Sequence, residues 1–150
     1  MTIRKYNGSL VVEDLSNLYD LVINYYKKIN NVESDGYYVV SALSFFMQKD
    51  TRLVDDYWKF ILFGFKELNR ADVFRATISC VCDFASIYHT AIANKITPLL
   101  EDIIAQFDGF YKIDLLMLIG ELFLNCAEVC WPYLKKVMNL LIITLNEILN

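Results

Sequence analysis

With 150 residues, 56% of them apolar, the chain has enough hydrocarbon for one well-filled core and enough length for about one domain. Its 18 acidic residues outnumber 14 basic ones, and the net charge of −4 argues against nucleic acid as a ligand. A mean hydropathy of +0.34 raises the question of a membrane span, but the longest stretch without a charge, Gly36 to Gln48, is well short of the ~20 residues that a spanning helix needs.

Apolar residues recur at helical spacing along the chain. A first helix is predicted from about Leu10 to Ile29, with Glu13, Asn17, Asp20, Asn24 and Lys27 on one arc and Leu15, Leu18, Leu21, Val22 and Tyr25 on the other. Asn30, Asn31, Ser34, Asp35 and Gly36 form a turn cluster. Further helices are predicted over about 37–47, 53–68, 72–88, 93–107, 110–126 and 131–149, with Asp108-Gly109 as a tight turn. Pro98 and Pro132 fall in the first turns of their helices, where a missing amide hydrogen does little harm. No segment alternates apolar and polar residues as a half-buried strand would, and no charged segment leading into an apolar one marks a signal peptide.

The helices carry a recurring phrase. Ala42-Leu43-Ser44-Phe45, Val81-Cys82-Asp83-Phe84 and Ile119-Gly120-Glu121-Leu122 follow one another at 39 and 38 residues, and Trp58, Pro98 and Pro132 mark the intervening runs at 40 and 34. A two-helix unit repeating in this range is the signature of a HEAT-type α-solenoid, with an A and a B helix per repeat and right-handed superhelical stacking. The whole chain, 1–150, reads as one such segment, with repeats over 10–48, 53–88 and 93–126 and a lone helix over 131–149. That last helix would leave Leu140, Leu141, Ile142, Ile143, Leu145 and Leu149 on a bare flank, as in an excerpt of a longer solenoid or a stack on a partner. Trp58 and Trp131 mark equivalent A-helix starts and are expected to pack between repeats.

Cys80 and Cys82 point to different helix faces, and Cys126 and Cys130 straddle a helix end, so the four cysteines read as buried free thiols and not as a zinc site. His89, the single histidine, stands near a helix end without a nucleophile or carboxylate arranged around it. The five glycines form no phosphate-cradling loop. No enzyme chemistry, metal or cofactor is therefore expected. Lys27-Lys28 and Lys135-Lys136, two adjacent basic pairs, read as solvated helix faces.

From about Gly36 to Leu149 the chain resembles the C-terminal half of an importin-β (karyopherin-β) type nuclear transport receptor. The resemblance lies in the succession Val40-Ser41-Ala42-Leu43, Phe65-Lys66-Glu67-Leu68-Asn69, Val81-Cys82-Asp83-Phe84, Ile96-Thr97-Pro98-Leu99-Leu100 and Ile119-Gly120-Glu121-Leu122. Arg75 fits the basic position of the HEAT pattern, whereas Asn69 replaces its acid and Asp114 stands where a second base is expected. The resemblance implies outer A helices and inner B helices. It also implies binding of nucleoporin Phe-Gly repeats between A helices, and binding of cargo, an importin-α-like adaptor or the GTPase Ran on the inner side. It further implies work in cytoplasm and nucleus at the nuclear pore, without insertion into a membrane. The alternative is a structural HEAT scaffold of a phosphatase or vesicle-coat complex.

Two sets of residues answer to those surfaces. Leu62 and Phe63 interrupt the polar arc of the third helix, Ile142 and Ile143 that of the seventh, and the small Ala105 lies in that of the fifth. Together they form a candidate Phe-Gly groove if they are not simply packed against adjacent repeats. Asp83 on the fourth helix, and Asp114, Glu121 and Asn125 on the sixth, form a candidate partner face. Stacking would align Asp83 with Glu121 in an acidic ladder attractive to a basic segment, or leave both on ordinary solvated faces.

Overall fold

The computed structural model describes residues 12–28, 33–48, 50–106 and 111–149. The predicted ends of the first helix at Leu10 and Ile29 and the Asp108-Gly109 turn lie outside them. The described residues are helical throughout, with short connections and no strand: α1 Val12–Lys28, α2 Ser34–Phe46, α3 Arg52–Gly64, α4 Ala71–Ile87, α5 His89–Ile96, α6 Leu100–Ala105, α7 Lys112–Asn125, α8 Ala127–Cys130 and α9 Leu134–Leu149. The all-α reading of the sequence holds.

Two boundaries differ from the sequence reading for one reason. The helices expected to start at 93 and 131 begin instead at His89 and Ala127, and each proline lies within the rod, in the 3-10 turns Thr97–Leu99 and Trp131–Tyr133. A proline ring collides with the carbonyl four residues earlier and offers no amide hydrogen. Tightening one turn to 3-10 geometry relieves this without ending the rod. The shift also overturns the expectation for Trp131, whereas Trp58 packs partly buried against the core. Trp131, caught in the 3-10 turn, is 68% exposed. Trp58 is half-buried, beneath the Lys95 ammonium, which lies 5.6 Å from its ring centroid and pairs with Asp55 at 2.8 Å.

The helices form two rows. α4 packs against α2 on one side and α7 on the other. The second row is joined by Tyr19 of α1 donating to Asp56 of α3, by Asp55 of α3 with Lys95 of α5, and by Glu101 of α6 with Lys136 of α9. Burial follows position in the rows. α3 buries one stripe, Leu53, Val54, Tyr57, Phe60, Ile61 and Gly64, at the spacing of a one-sided helix. α4 has neighbours on both sides and α3 across the rows, and it buries Val73, Phe74, Ala76, Thr77, Ile78, Cys80, Val81, Phe84 and Ala85 around most of its circumference.

Polar links between elements keep a fixed step. With one exception, side-chain hydrogen bonds between described residues more than four apart span 35 to 44 positions, from Lys112 with Glu147 to Tyr88 with Ser44. At the ends of the first-row helices the same job recurs. The Tyr88 hydroxyl donates to the Met47 carbonyl at 2.9 Å, and the Cys126 thiol, 38 positions later, donates to the His89 carbonyl at 3.4 Å. Both are second bonds to backbone at helix ends: the Met47 carbonyl, just past α2, also accepts the Asp50 amide at 2.9 Å, and His89 is the first residue of α5.

The exception, Tyr37 to Phe60 at 2.8 Å, marks where the rows touch most closely. A Cβ on Gly64 would fall 1.9 Å from Thr77 Oγ1 and 2.7 Å from the Tyr37 hydroxyl. Only glycine allows α3 to rest there, and Gly64→Ala should lower stability by ~1–3 kcal/mol through overpacking. Urea unfolding of Gly64→Ala, Thr77→Ala and the pair tests this. Because Thr77→Ala removes the nearest atom, the two losses should fall short of additive, and strict additivity would contradict the contact.

Candidate functional site

The equivalence of α4 and α7 builds a groove between them. Arg75, Ile78, Ser79, Cys82 and Asp83 of α4 face Asp114, Met117, Gly120 and Glu121 of α7 across a cavity of about 380 Å³. Both sets follow helical spacing, and Ser79, Cys82 and Asp83 recur 38 positions later as Met117, Gly120 and Glu121. Three residues of the candidate partner face, Asp83, Asp114 and Glu121, are thereby brought together. The fourth, Asn125, stands one turn beyond and holds Glu121, its amide donating to the Glu121 carboxylate at 3.1 Å and the Glu121 carbonyl at 3.0 Å.

Each carboxylate is oriented by a different neighbour. Asp83 accepts the Ser41 hydroxyl from α2. Asp114 accepts from Arg75 Nε at 3.1 Å, and the same guanidinium lies 5.9 Å from the centroid of the Tyr111 ring. Three carboxylates thus face one guanidinium, with the buried Ile78 and the exposed Met117 as apolar lining. That combination suits a cation carried on a methylene stem, a lysine or arginine side chain, better than a neutral or anionic ligand.

Cys82 sits between the carboxylates and the core. Burial, then the nearby Glu121 and Asp83 charges, pushes its thiol up to about 12. Cys80, fully buried on the same helix, is raised well above the ordinary thiol value by burial and by Asp83, and burial and Cys126 push Cys130 up to about 11. These thiols are protonated spacers at neutral pH. His89, the first residue of α5 and near the helix end expected from the sequence, has its Nδ1 2.9 Å from the Ala85 carbonyl of α4.

The candidate outer groove is divided by the structure. Adjacent helical residues point about 100° apart, and ion pairs fix which flank is which. On α3, Asp55 pairs toward α5 while Asp56 meets α1. Seven residues on, Leu62 shares the Asp55 flank and Phe63 the Asp56 flank, so the two half-buried side chains do not border one groove. On α9, Lys136 reaches α6, which puts Ile143 on that flank and Ile142 on the opposite one. Ala105 is exposed at the end of α6. The corrected outer set is Leu62 on the side of α3 that faces α5, and Ala105, one turn beyond Glu101, with Ile143 between α6 and α9.

Gly120 is the groove residue that sequence patterning missed. A Cβ there would meet nothing within 4 Å, so packing does not require this glycine. An interior helix glycine costs ~1 kcal/mol against alanine, and that cost without a steric reason was the available signal. Gly120→Ala should raise stability by ~0.5–1 kcal/mol, opposite in sign to Gly64→Ala. Urea midpoints compare the two.

The thiols set an alkaline limit. An unfolded thiol ionises near pH ~8.5, whereas folded Cys82 holds its proton to about 12. The folded state then binds more protons, so stability is full below the unfolded value and falls as pH rises through this window. The slope is at most about 1.4 kcal/mol per pH unit for each such thiol. Urea midpoints at pH 7, 9 and 10 should decline, and Cys82→Ala should decline less steeply. A flat profile would show that the thiols ionise alike in both states.

Comparison of the chain with protein-family models, with curated proteins and with solved structures finds no match.

Proposed function

We propose that the chain is a HEAT-type helical-repeat segment that acts by reversible protein binding, in the manner of an importin-β-like nuclear transport receptor. The observation that carries this reading is the α4–α7 groove, in which equivalent positions of successive helices present Asp83, Asp114 and Glu121 to one concavity. The fixed 35 to 44 residue step of the polar links supports the repeat architecture, because each unit then contacts only its neighbours. Its ligand on this side is a basic segment of a cargo or adaptor protein, attracted by the net negative rim and held by lysine or arginine stems over Ile78 and Met117. On the other side, the shallow surface around Leu62, Ala105 and Ile143 is the place for nucleoporin Phe-Gly repeats. Each such contact is weak, because one phenyl ring supplies only ~1.5–3 kcal/mol before peptide ordering is subtracted, and useful binding comes from many sites together.

NMR chemical-shift mapping with a lysine-rich peptide and, separately, a Phe-Gly peptide tests both surfaces. The basic peptide should shift groove residues at low salt and lose affinity as salt rises. Asp83→Asn with Glu121→Gln should weaken it by roughly tenfold, as removal of two attractive charges implies. Leu62→Asp should weaken only the Phe-Gly peptide. A structural scaffold of a phosphatase or coat complex has no reason to recognise Phe-Gly repeats. Absence of shifts at millimolar peptide on both surfaces would end the transport reading.

A further inference from the structure

Gly120 stands in the middle of α7, where nothing among the described residues asks for a glycine. At Gly64 a Cβ would collide with Thr77, whereas a Cβ on Gly120 would meet nothing within 4 Å. A mid-helix glycine weakens its helix, and close approach by a ligand is one of the few uses that justify it. The surroundings support that use. Gly120 falls in line with Ile113, Met117 and Leu124 at 4-3-4 spacing, all of them exposed, Leu124 by 77%. The equivalent line on α4, 38 positions earlier, reads Arg75, Ser79, Cys82 and Ser86, so the repeat does not call for apolar residues there. Nor is this the flank on which the row would continue. At about 100° per residue, the half-buried Lys112, Leu116 and Phe123 lie about half a turn round α7 from Asp114 and Glu121, and a further helix stacked as α7 stacks on α4 would cover them. The line from Ile113 to Leu124 runs between these two flanks and stays open.

We propose that Gly120 is the floor of a socket for one apolar side chain of the groove's ligand, with Met117 and Leu124 as its walls and the Glu121 carboxylate beside it for a neighbouring lysine or arginine. This rests on the reading of the α4–α7 groove as a site for a basic protein segment, and it names a second requirement of that segment. Met117 precedes the gap by three residues and Leu124 follows it by four, so the two stand about one turn to either side on one face of the helix. Met117 adapts its unbranched thioether chain to an apolar guest, and Cys82, across the cavity, adds a small apolar surface. The cation's place is fixed with respect to the socket. Glu121 follows Gly120 directly, and the Asn125 amide holds its carboxylate at 3.1 Å. A ligand residue seated over Gly120 therefore has the next residue of its own chain within reach of Glu121, and Asp83 lines the same cavity. Charge selects the occupant. A wholly apolar segment would cover Asp83, Asp114 and Glu121, with Arg75 as the cation in the cavity, and leave carboxylates without counter-charge in a drier place. The fitting ligand is thus a segment of another protein in which a leucine-sized apolar residue adjoins lysine or arginine.

Two short peptides of equal charge, Lys-Lys-Ala-Lys-Lys and Lys-Lys-Leu-Lys-Lys, titrated into the full chain at low salt and followed by NMR, provide the test. The leucine peptide should bind roughly tenfold more tightly, the gain of one partly buried leucine less the cost of ordering it, and should add shifts at Met117 and Leu124. Gly120→Leu fills the socket from the protein side and should bring the two peptides level while charge-driven binding persists. Gly120→Ala should narrow the difference although its urea midpoint is higher, which separates loss of the socket from loss of the fold. Equal affinity of the two peptides for the unaltered chain, with shifts at Asp83 and Glu121, would overturn the socket and leave the basic-segment reading in place. Absence of shifts with either peptide at millimolar concentration would overturn both. A leucine advantage that survives Gly120→Leu would also overturn the assignment, because the apolar residue would then sit elsewhere.

Discussion

The contact on which the two rows depend is the approach of α3 to α4 at Gly64, where a single missing Cβ sets the distance between helices. With the Thr77 hydroxyl turned to the Val73 carbonyl at 2.8 Å and the Tyr37 hydroxyl donating to the Phe60 carbonyl, both polar groups near the glycine are satisfied within buried surroundings. A buried donor without a partner would cost ~1–3 kcal/mol, so these bonds are a condition of the close approach. The Tyr37 ring then meets Tyr57 edge-on at a centroid distance of 5.8 Å, and α2, α3 and α4 become one packed unit. Burial pushes the Tyr37 hydroxyl up to about 12, which keeps the donor in place across the neutral range.

From that unit the structure extends by repetition. α7 lies on α4 as α4 lies on α2, and the polar rungs translate with it: Arg70 to Glu33, Arg75 to Asp114, and the Tyr88 and Cys126 donors at the helix ends. Surface ion pairs of this kind contribute only ~0–1 kcal/mol each. Their importance lies in register, because a slip by one helical turn would break several of them at once. The apolar stripes specify that helices pack, and the rungs specify which turn meets which.

Most of the helix pattern was legible from the sequence, because amphipathic spacing is a local property. Leu53, Tyr57, Phe60 and Ile61 lie four and three apart, and burial on one side follows directly. The residues that went astray depend on rotation or on a neighbour. Leu62 and Phe63, or Ile142 and Ile143, are adjacent in sequence and look alike in hydropathy, yet 100° of helical rotation sends them to opposite flanks. Only the ion pairs of Asp55, Asp56 and Lys136 reveal which flank is which. Trp131 was misjudged because Pro132 reads equally well as a helix start and as a 3-10 turn within a rod. Asp83 and Glu121 line one cavity, a juxtaposition that their 38-residue spacing carries and that neither helix shows alone. Gly64 escaped notice because its constraint comes from Thr77, thirteen positions away and on another helix.

The groove and the bare flank of α9 occupy different surfaces, and this separation follows from the same geometry. Glu121 and Asp114 lie on the side of α7 that faces α4, while Met138 and Leu145 lie on the side of α9 remote from α6. Charge is divided in the same way. The carboxylates gather where two first-row helices approach beside an apolar lining, and the α9 flank of Met138, Ile142, Leu145 and Leu149 is uncharged. One set of helices thus carries an acidic groove and an apolar flank on separate surfaces.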